Sequence, residues 1–287
     1  MRPPWTLRRP LATIGLRGFL LAVALISLLA WWGMEQPRRG DRAIETARKL
    51  GGVVQLDEGH RVGRPAPEPP RVASPAWARE QVSPGLAHDV SSVNFDGLSL
   101  TEADLANFAD LRRLRRLLLN GSTVDDRGLA RLSGLVDLEV LEARETVVGD
   151  PGLVALDSMP RLKEIQLAET RVGDAGMARI GRAYALQGLG LNRTAVGNAG
   201  LAHLSKLNRL KVLKLAGTRV DDAGLAHLEG LDRLEALDLS GLAITDAGLA
   251  RLAGLRELKT LFLVGTKVTD SGCEGLRQVV PGLAIYR

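Results

Sequence analysis

The side chains able to do chemistry are few, and their spacing argues against most of it. His203 and His227 stand 24 residues apart, and Asn107, Arg131, Arg179 and Arg251 hold the equivalent positions. The pair therefore reads as solvent-facing rather than as a metal site. Cys273 is the single cysteine. One thiol allows neither an intrachain disulfide nor a cysteine-based zinc site, and its aliphatic slot marks it as a small buried hydrophobe. Gly188-Leu189-Gly190 lacks the third glycine of a nucleotide-binding turn and runs on into Leu191-Asn192-Arg193. Asn120-Gly121-Ser122 and Asn192-Arg193-Thr194 fit the glycosylation acceptor pattern, which matters only in a host that glycosylates. No nucleophile is paired with a base. The residues predict no catalytic group, no metal, no cofactor and no small-molecule substrate, and the chain is read as a binder rather than an enzyme.

Charge narrows the partners. The formal net charge is +5, and residues 1–40 account for all of it with six arginines against Glu35. The remaining residues are neutral overall and offer no basic stripe of the kind nucleic acid requires. Residues 18–34 form an uncharged, mostly apolar run. At ~1.5 Å per residue it covers roughly 25 Å, and Leu11–Leu16 can extend it toward the ~30 Å of a bilayer core. Trp31 and Trp32 fall at its far end, where indoles favour headgroups. We read it as an uncleaved transmembrane anchor in preference to a cleaved signal peptide or a buried helix. The arginines of the basic segment 1–17 put the N-terminus in the cytoplasm, although Arg38, Arg39, Arg42, Arg48 and Lys49 beyond the run oppose that rule.

Residues 35–56 read as a juxtamembrane unit. Ile44, Ala47 and Leu50 keep helical spacing, Gly51-Gly52 stops the helix, and Val53-Val54-Gln55-Leu56 has the character of a short strand. Residues 57–88 hold Pro65, Pro67, Pro69, Pro70, Pro75 and Pro84, a density that favours extended chain. We read this stretch as a semi-rigid spacer; a docking motif for a proline-binding module is the alternative.

Residues 89–287 are governed by one period. Glycines recur every 24 residues at Gly128, Gly152, Gly176, Gly200, Gly224, Gly248 and Gly272, with Asp104 in the same phase. From each glycine, apolar residues return as they do at Leu201, Leu204, Leu207, Leu210, Leu213, Leu215 and Val220. Steps of three predict a short helix over 222–229, and a step of two predicts a strand over 212–216. Asp126, Asp150, Asp174, Asp222, Asp246 and Asp270 fall in the first helical turn, where a carboxylate suits the helix dipole. The phase extends to a first strand near 92–96 and a last one over 284–286. The expected total is nine parallel strands and eight helices. No unit can close a core alone, so the domain must fold as an array.

The run LNRLKVLKLAGT over 207–218 resembles the leucine-rich repeat, and VDDAGL over 220–225 resembles its helix-bearing, ribonuclease-inhibitor-like subclass. With the Arg-flanked apolar run, the layout resembles bacterial single-pass membrane-anchored proteins of this type. The resemblance covers about 90–287. It implies an α/β solenoid: a right-handed arc with parallel strands on the concave face, short helices on the convex face, and a role in protein binding. The anchor and its flanking charges give the expectation of an inner-membrane protein whose repeats lie outside the cytoplasm, in a periplasm-like space. One departure is that Thr146, Thr170, Thr194, Thr218 and Thr266 stand where the family places an asparagine ladder, giving one donor in place of two.

On that fold the concave positions not used by the core offer a partner site. The candidates are Glu142, Arg144, Glu164, Gln166, Asn192, Lys214, Asp238, Phe262 and Val264. Glu142, Glu145, Glu164 and Glu169 form an acidic shoulder. Gly188 and Gly190 leave a bare floor, and Phe262 with Val264 supplies an apolar anchor. The expected function is a membrane-tethered scaffold for a protein partner. The alternative is a structural envelope protein that self-associates through its last strand near Tyr286.

Overall fold

Successive strands, most of them from the 24-residue unit, lie side by side in sequence order in one ten-stranded sheet. The computed structural model describes residues 42–56 and 90–287. The basic N-terminus 1–17, the apolar run 18–34 and the proline-rich spacer 57–88 lie outside the described residues. Among the described residues no helix is long and apolar enough to cross a membrane.

The parallel run begins with β2 (Val90–Asn94) and β3 (Arg116–Leu118). It continues with β4 (Val140–Glu142), β5 (Glu164–Gln166), β6 (Gly188–Gly190) and β7 (Val212–Lys214). It ends with β8 (Ala236–Asp238), β9 (Thr260–Phe262) and β10 (Ala284–Tyr286). Each pair is in register at a shift of 24 residues, as in Leu213↔Leu237. These are the nine parallel strands the period predicts. Eight helical segments return the chain from strand to strand, and four of them shorten to a brief α stretch followed by a 3-10 turn. Asp222–Leu225 is α and Ala226–Leu228 is 3-10. Asp150–Ser158, with Pro151 in its first turn, is 3-10 throughout.

The core is a column of aliphatics. Leu201, Leu204, Leu207, Leu210, Leu213 and Leu215 are fully buried, and Cys273 is buried in its leucine slot. At the N-terminal end the column closes on aromatics, Phe95 and Phe108, packed edge to face at 4.8 Å between centroids.

The segment 35–56 read from sequence as a unit apart from the repeats. Its described part, 42–56, instead completes the repeat sheet. Residues 42–49 are helical, with Ala43, Ile44 and Ala47 buried in the same core cluster as the leucines. β1 (Val53–Leu56) then pairs antiparallel with β2, Val53 opposite Asn94 and Leu56 opposite Val90. The physical reason is that a stack of leucines must be covered at its end, and an amphipathic helix with an antiparallel strand covers both the core and the sheet edge.

The repeated aspartates do more than face a helix dipole. Asp174 Oδ1 accepts from the backbone N–H of Gly197 at 2.7 Å and of Gly200 at 3.0 Å, both in the next repeat. Asp126 does the same for Gly149 and Gly152. Asp222 and Asp246 hold Thr245 and Thr269 through both backbone and hydroxyl. This arrangement accounts for the 24-residue glycine. A Cβ on Gly200 would lie 2.5 Å from Asp174 Oδ1, and one on Gly248 would lie 2.1 Å from Asp222 Oδ1. The threonines in the asparagine-ladder positions bond within their own repeat: Thr170 Oγ1 donates to the Leu167 carbonyl and Thr194 Oγ1 to the Leu191 carbonyl, each at 2.7 Å. The side-chain link from repeat to repeat has therefore moved to the aspartates.

The sheet face as candidate interaction surface

A strand alternates its side chains, so each three-residue strand buries its middle residue and turns the two flanking ones outward. The register then lines up outward residues 24 apart. One row runs Leu118, Glu142, Gln166, Gly190, Lys214, Asp238, Phe262, Tyr286 across β3 to β10. It holds five of the nine candidate residues, Glu142, Gln166, Lys214, Asp238 and Phe262.

The N-terminal third of the face is hydrogen-bonded into place. Glu142, with its side chain only 16% exposed, accepts from Asn120 Nδ2 at 3.0 Å and faces the Arg144 guanidinium at 3.3 Å. Asn120 Oδ1 accepts from the Arg144 N–H. Asn192 is likewise occupied, its Oδ1 accepting from the Ala216 N–H at 3.0 Å. Asp238 Oδ1 caps its own turn at the Ser240 N–H. Asparagines at these two sequons thus serve the scaffold through their carbonyl oxygens.

The centre is not the bare floor that its glycines suggest. Gln166 is buried, only 5% exposed, and a Cβ on Gly190 would fall 2.0 Å from its Oε1. Its Nε2 donates to Glu164 Oε1 at 3.1 Å, and Glu164 in turn lies over Gly188. The side chains of β5 roof the glycines of β6. At Gly190 a neighbour's side chain, not a ligand, takes the space.

Beside this roof the backbone is strained. The residue that follows the outward position takes positive φ in successive repeats, and Gly97, Gly121, Gly217, Gly241 and Gly265 supply it at the flanks. In the three central repeats it is Glu145, Glu169 and Arg193, at φ of 55°, 59° and 54°. A left-handed conformation costs an L-residue about 1–2 kcal/mol. Arg193 Nη1 donates to Glu169 Oε1 at 2.9 Å.

The C-terminal third is apolar and open. Phe262 and Tyr286 stack with centroids 5.0 Å apart and an 18° interplanar angle, and beside them Val264 is 54% exposed. Tyr286, read from sequence as marking a self-associating edge, is the residue missing from the predicted sheet-face site. Its signal was available, since it keeps the 24-residue phase of Phe262. Lys214 is exposed between the roof and the aromatic pair and forms no ion pair among the described residues.

Perturbed carboxylates belong to the scaffold. Hydrogen bonds from Lys259 and Lys211, reinforced by their charges, bring Glu235 down to about 2. Bonds from the Thr269 hydroxyl and N–H lower Asp246. Among the described residues no group of three or more His, Cys, Asp or Glu is placed to hold a metal ion, and His203 and His227 are exposed on the helical side.

No protein-family model matches the chain, and no curated protein matches it. Solved structures do. An internalin from Listeria monocytogenes is 19% identical with a TM-score of 0.51, over 68% of this chain and 66% of that one. A leucine-rich-repeat protein of Leptospira interrogans is 16% identical with a TM-score of 0.55, over 70% and 50%. The leucine-rich-repeat ectodomain of the plant receptor kinase GASSHO1/SCHENGEN3 from Arabidopsis thaliana, in complex with Casparian strip integrity factor 2, is 18% identical. Its TM-score is 0.50, over 68% and 26%. This chain thus spans less than two thirds of each of those three.

Proposed function

The fold is a leucine-rich-repeat solenoid, and from that premise we propose that the chain is a scaffold that captures a protein partner on its sheet face. The observation that carries this reading is the stacked Phe262–Tyr286 pair with Val264, three exposed large apolar side chains gathered at the C-terminal end of the face. Exposed aromatics on a rigid surface are the usual energetic centre of a protein interface. Glu142, Arg144, Glu164, Gln166, Lys214 and Asp238 then form the polar surround. The plant ectodomain, solved with a bound factor, shows that its own repeats bind such a partner, and supports the same use here. We read the arc as right-handed, of the ribonuclease-inhibitor-like subclass, with the sheet on its concave side.

The apolar run 18–34 supports tethering in a bacterial inner membrane, with the N-terminus cytoplasmic and the repeats outside. The test is capture from a crosslinked envelope lysate with the full chain as bait, because 42–56 belongs to the fold. A protein taken by the wild type and lost by Phe262→Ala/Tyr286→Ala establishes the site. Equal capture by both, or capture of further copies of this chain alone, removes it; the latter outcome selects the self-associating envelope protein.

A further inference from the structure

The first repeat carries a charge cluster outside the sheet-face site. Arg112, Arg113, Arg115 and Arg116 fall within five residues, all exposed, around buried Leu114. In the next repeat the same four positions hold Val136, Asp137, Glu139 and Val140, and in the last full one Arg256, Glu257, Lys259 and Thr260. The acids of the neighbouring repeat are already engaged with later cations, Asp137 with Arg161 at 3.0 Å and Glu139 with Lys163 at 2.7 Å. Arg112, Arg113 and Arg116 enter no ion pair among the described residues. The capping helix adds exposed Arg42 and Arg48 at the same end of the stack.

Position makes this cluster specific. Arg116 stands on β3, two strands from β1, roughly 10 Å from the sealed end at ~4.8 Å per strand. The chain enters that end at residue 42, eight residues after the apolar run 18–34, and eight residues reach at most about 28 Å. An exposed guanidinium cluster held this close to a bilayer is matched by anionic headgroups.

We propose that Arg112, Arg113 and Arg116 dock the N-terminal end of the solenoid on an anionic lipid surface, standing the array on the membrane and leaving the C-terminal part of the sheet face, with Phe262 and Tyr286, free. This rests on the tethered reading above. Each arginine near such a surface favours docking by about fivefold, so the three together shift it by about a hundredfold.

The test uses the full chain in phosphatidylcholine vesicles, with and without phosphatidylglycerol. A donor dye is placed at Val136→Cys, exposed at the position equivalent to Arg112, while Cys273 is buried; the acceptor is a headgroup-labelled lipid. Energy transfer should rise when phosphatidylglycerol is present and fall back in about 1 M salt, where the Debye length is ~3 Å. In Arg112→Gln/Arg113→Gln/Arg116→Gln, with an unchanged thermal melt, it should stay at the neutral-vesicle level. Transfer equal in both vesicles, or a triple variant that behaves as wild type, overturns the proposal. So does wild-type binding to a soluble oligonucleotide that the variant loses while vesicles have no effect. Alkaline carbonate extraction reads the anchor separately: a chain that is extracted yet still floats, salt-sensitively, with phosphatidylglycerol vesicles keeps the docking surface and loses the tether.

Discussion

The junction between repeats and the sheet face are built from the same 24-residue unit and are treated in opposite ways. At the junctions from Asp126 to Asp246 an aspartate carboxylate, a backbone N–H and a glycine recur with almost no variation, and there Asn198 is the one conservative substitute, accepting from the Asp221 N–H. On the sheet face each repeat differs from the next: a roofed pair of glycines, an exposed lysine, an aromatic stack. Uniformity marks the contacts that every repeat needs to hold its neighbour. Variety marks positions that no neighbour dictates and that a partner can therefore read. The lesson is that function in such an array is sought where the period fails.

The contrast can be broken most severely at the junction. Gly248→Val drives a branched side chain into Asp222 Oδ1, and we expect a loss of about 3 kcal/mol from overpacking, read as a lower urea midpoint. Phe262→Ala/Tyr286→Ala should lose partner capture and leave that midpoint nearly unchanged. A junction variant as mild as the aromatic one would erase the distinction.

Asp174→Ala comes next. It leaves the Gly197 and Gly200 N–H groups without their acceptor, at a cost of about 2 kcal/mol. Asp174→Asn should recover part of it, because Asn198 already accepts from the Asp221 N–H at the equivalent junction. Equal melting of the two variants would show that the amide does not replace the carboxylate.

On the other side of the comparison, Glu169→Gly should stabilise the chain by about 1 kcal/mol by relieving its left-handed backbone. A thermal melt that falls instead would show that the Arg193 contact outweighs the strain.

The smallest effect is at the strand edge. The pKa of Glu235 is lowered from its ordinary 4.5 to about 2 by Lys259 and Lys211, so its contribution is whole above 4.5 and lost as pH falls toward 2. A Glu235→Gln variant should melt slightly below wild type at neutral pH and converge with it in acid. Parallel melting curves across that range would show the triad to be idle.

Much of the array is legible before folding because a period of 24 forces buried residues, strand register and turn positions together. Ala284–Tyr286 falls where the phase puts it. What escaped reading was contact across the period. The aspartates appear as first-turn carboxylates within one unit, and only the neighbour's N–H, 23 and 26 residues away, reveals their second task. Gln166 and Gly190 look unrelated in sequence, yet strand adjacency lays one over the other. The helix and the strand of the cap are legible, but not their place in the repeat sheet, because the amphipathic helix carries no trace of the repeat; coverage of a core end requires apolar surface but no particular period.

The antiparallel strand β1 has one more consequence. It makes the two poles of the sheet unlike: β1 and β10 each have a neighbour on one side only among the described residues, but one pole ends on an antiparallel pair and the other on a parallel one. A second copy stacked head to tail would meet at β1 a strand that runs against the array, so the 24-residue period cannot continue from one molecule into the next.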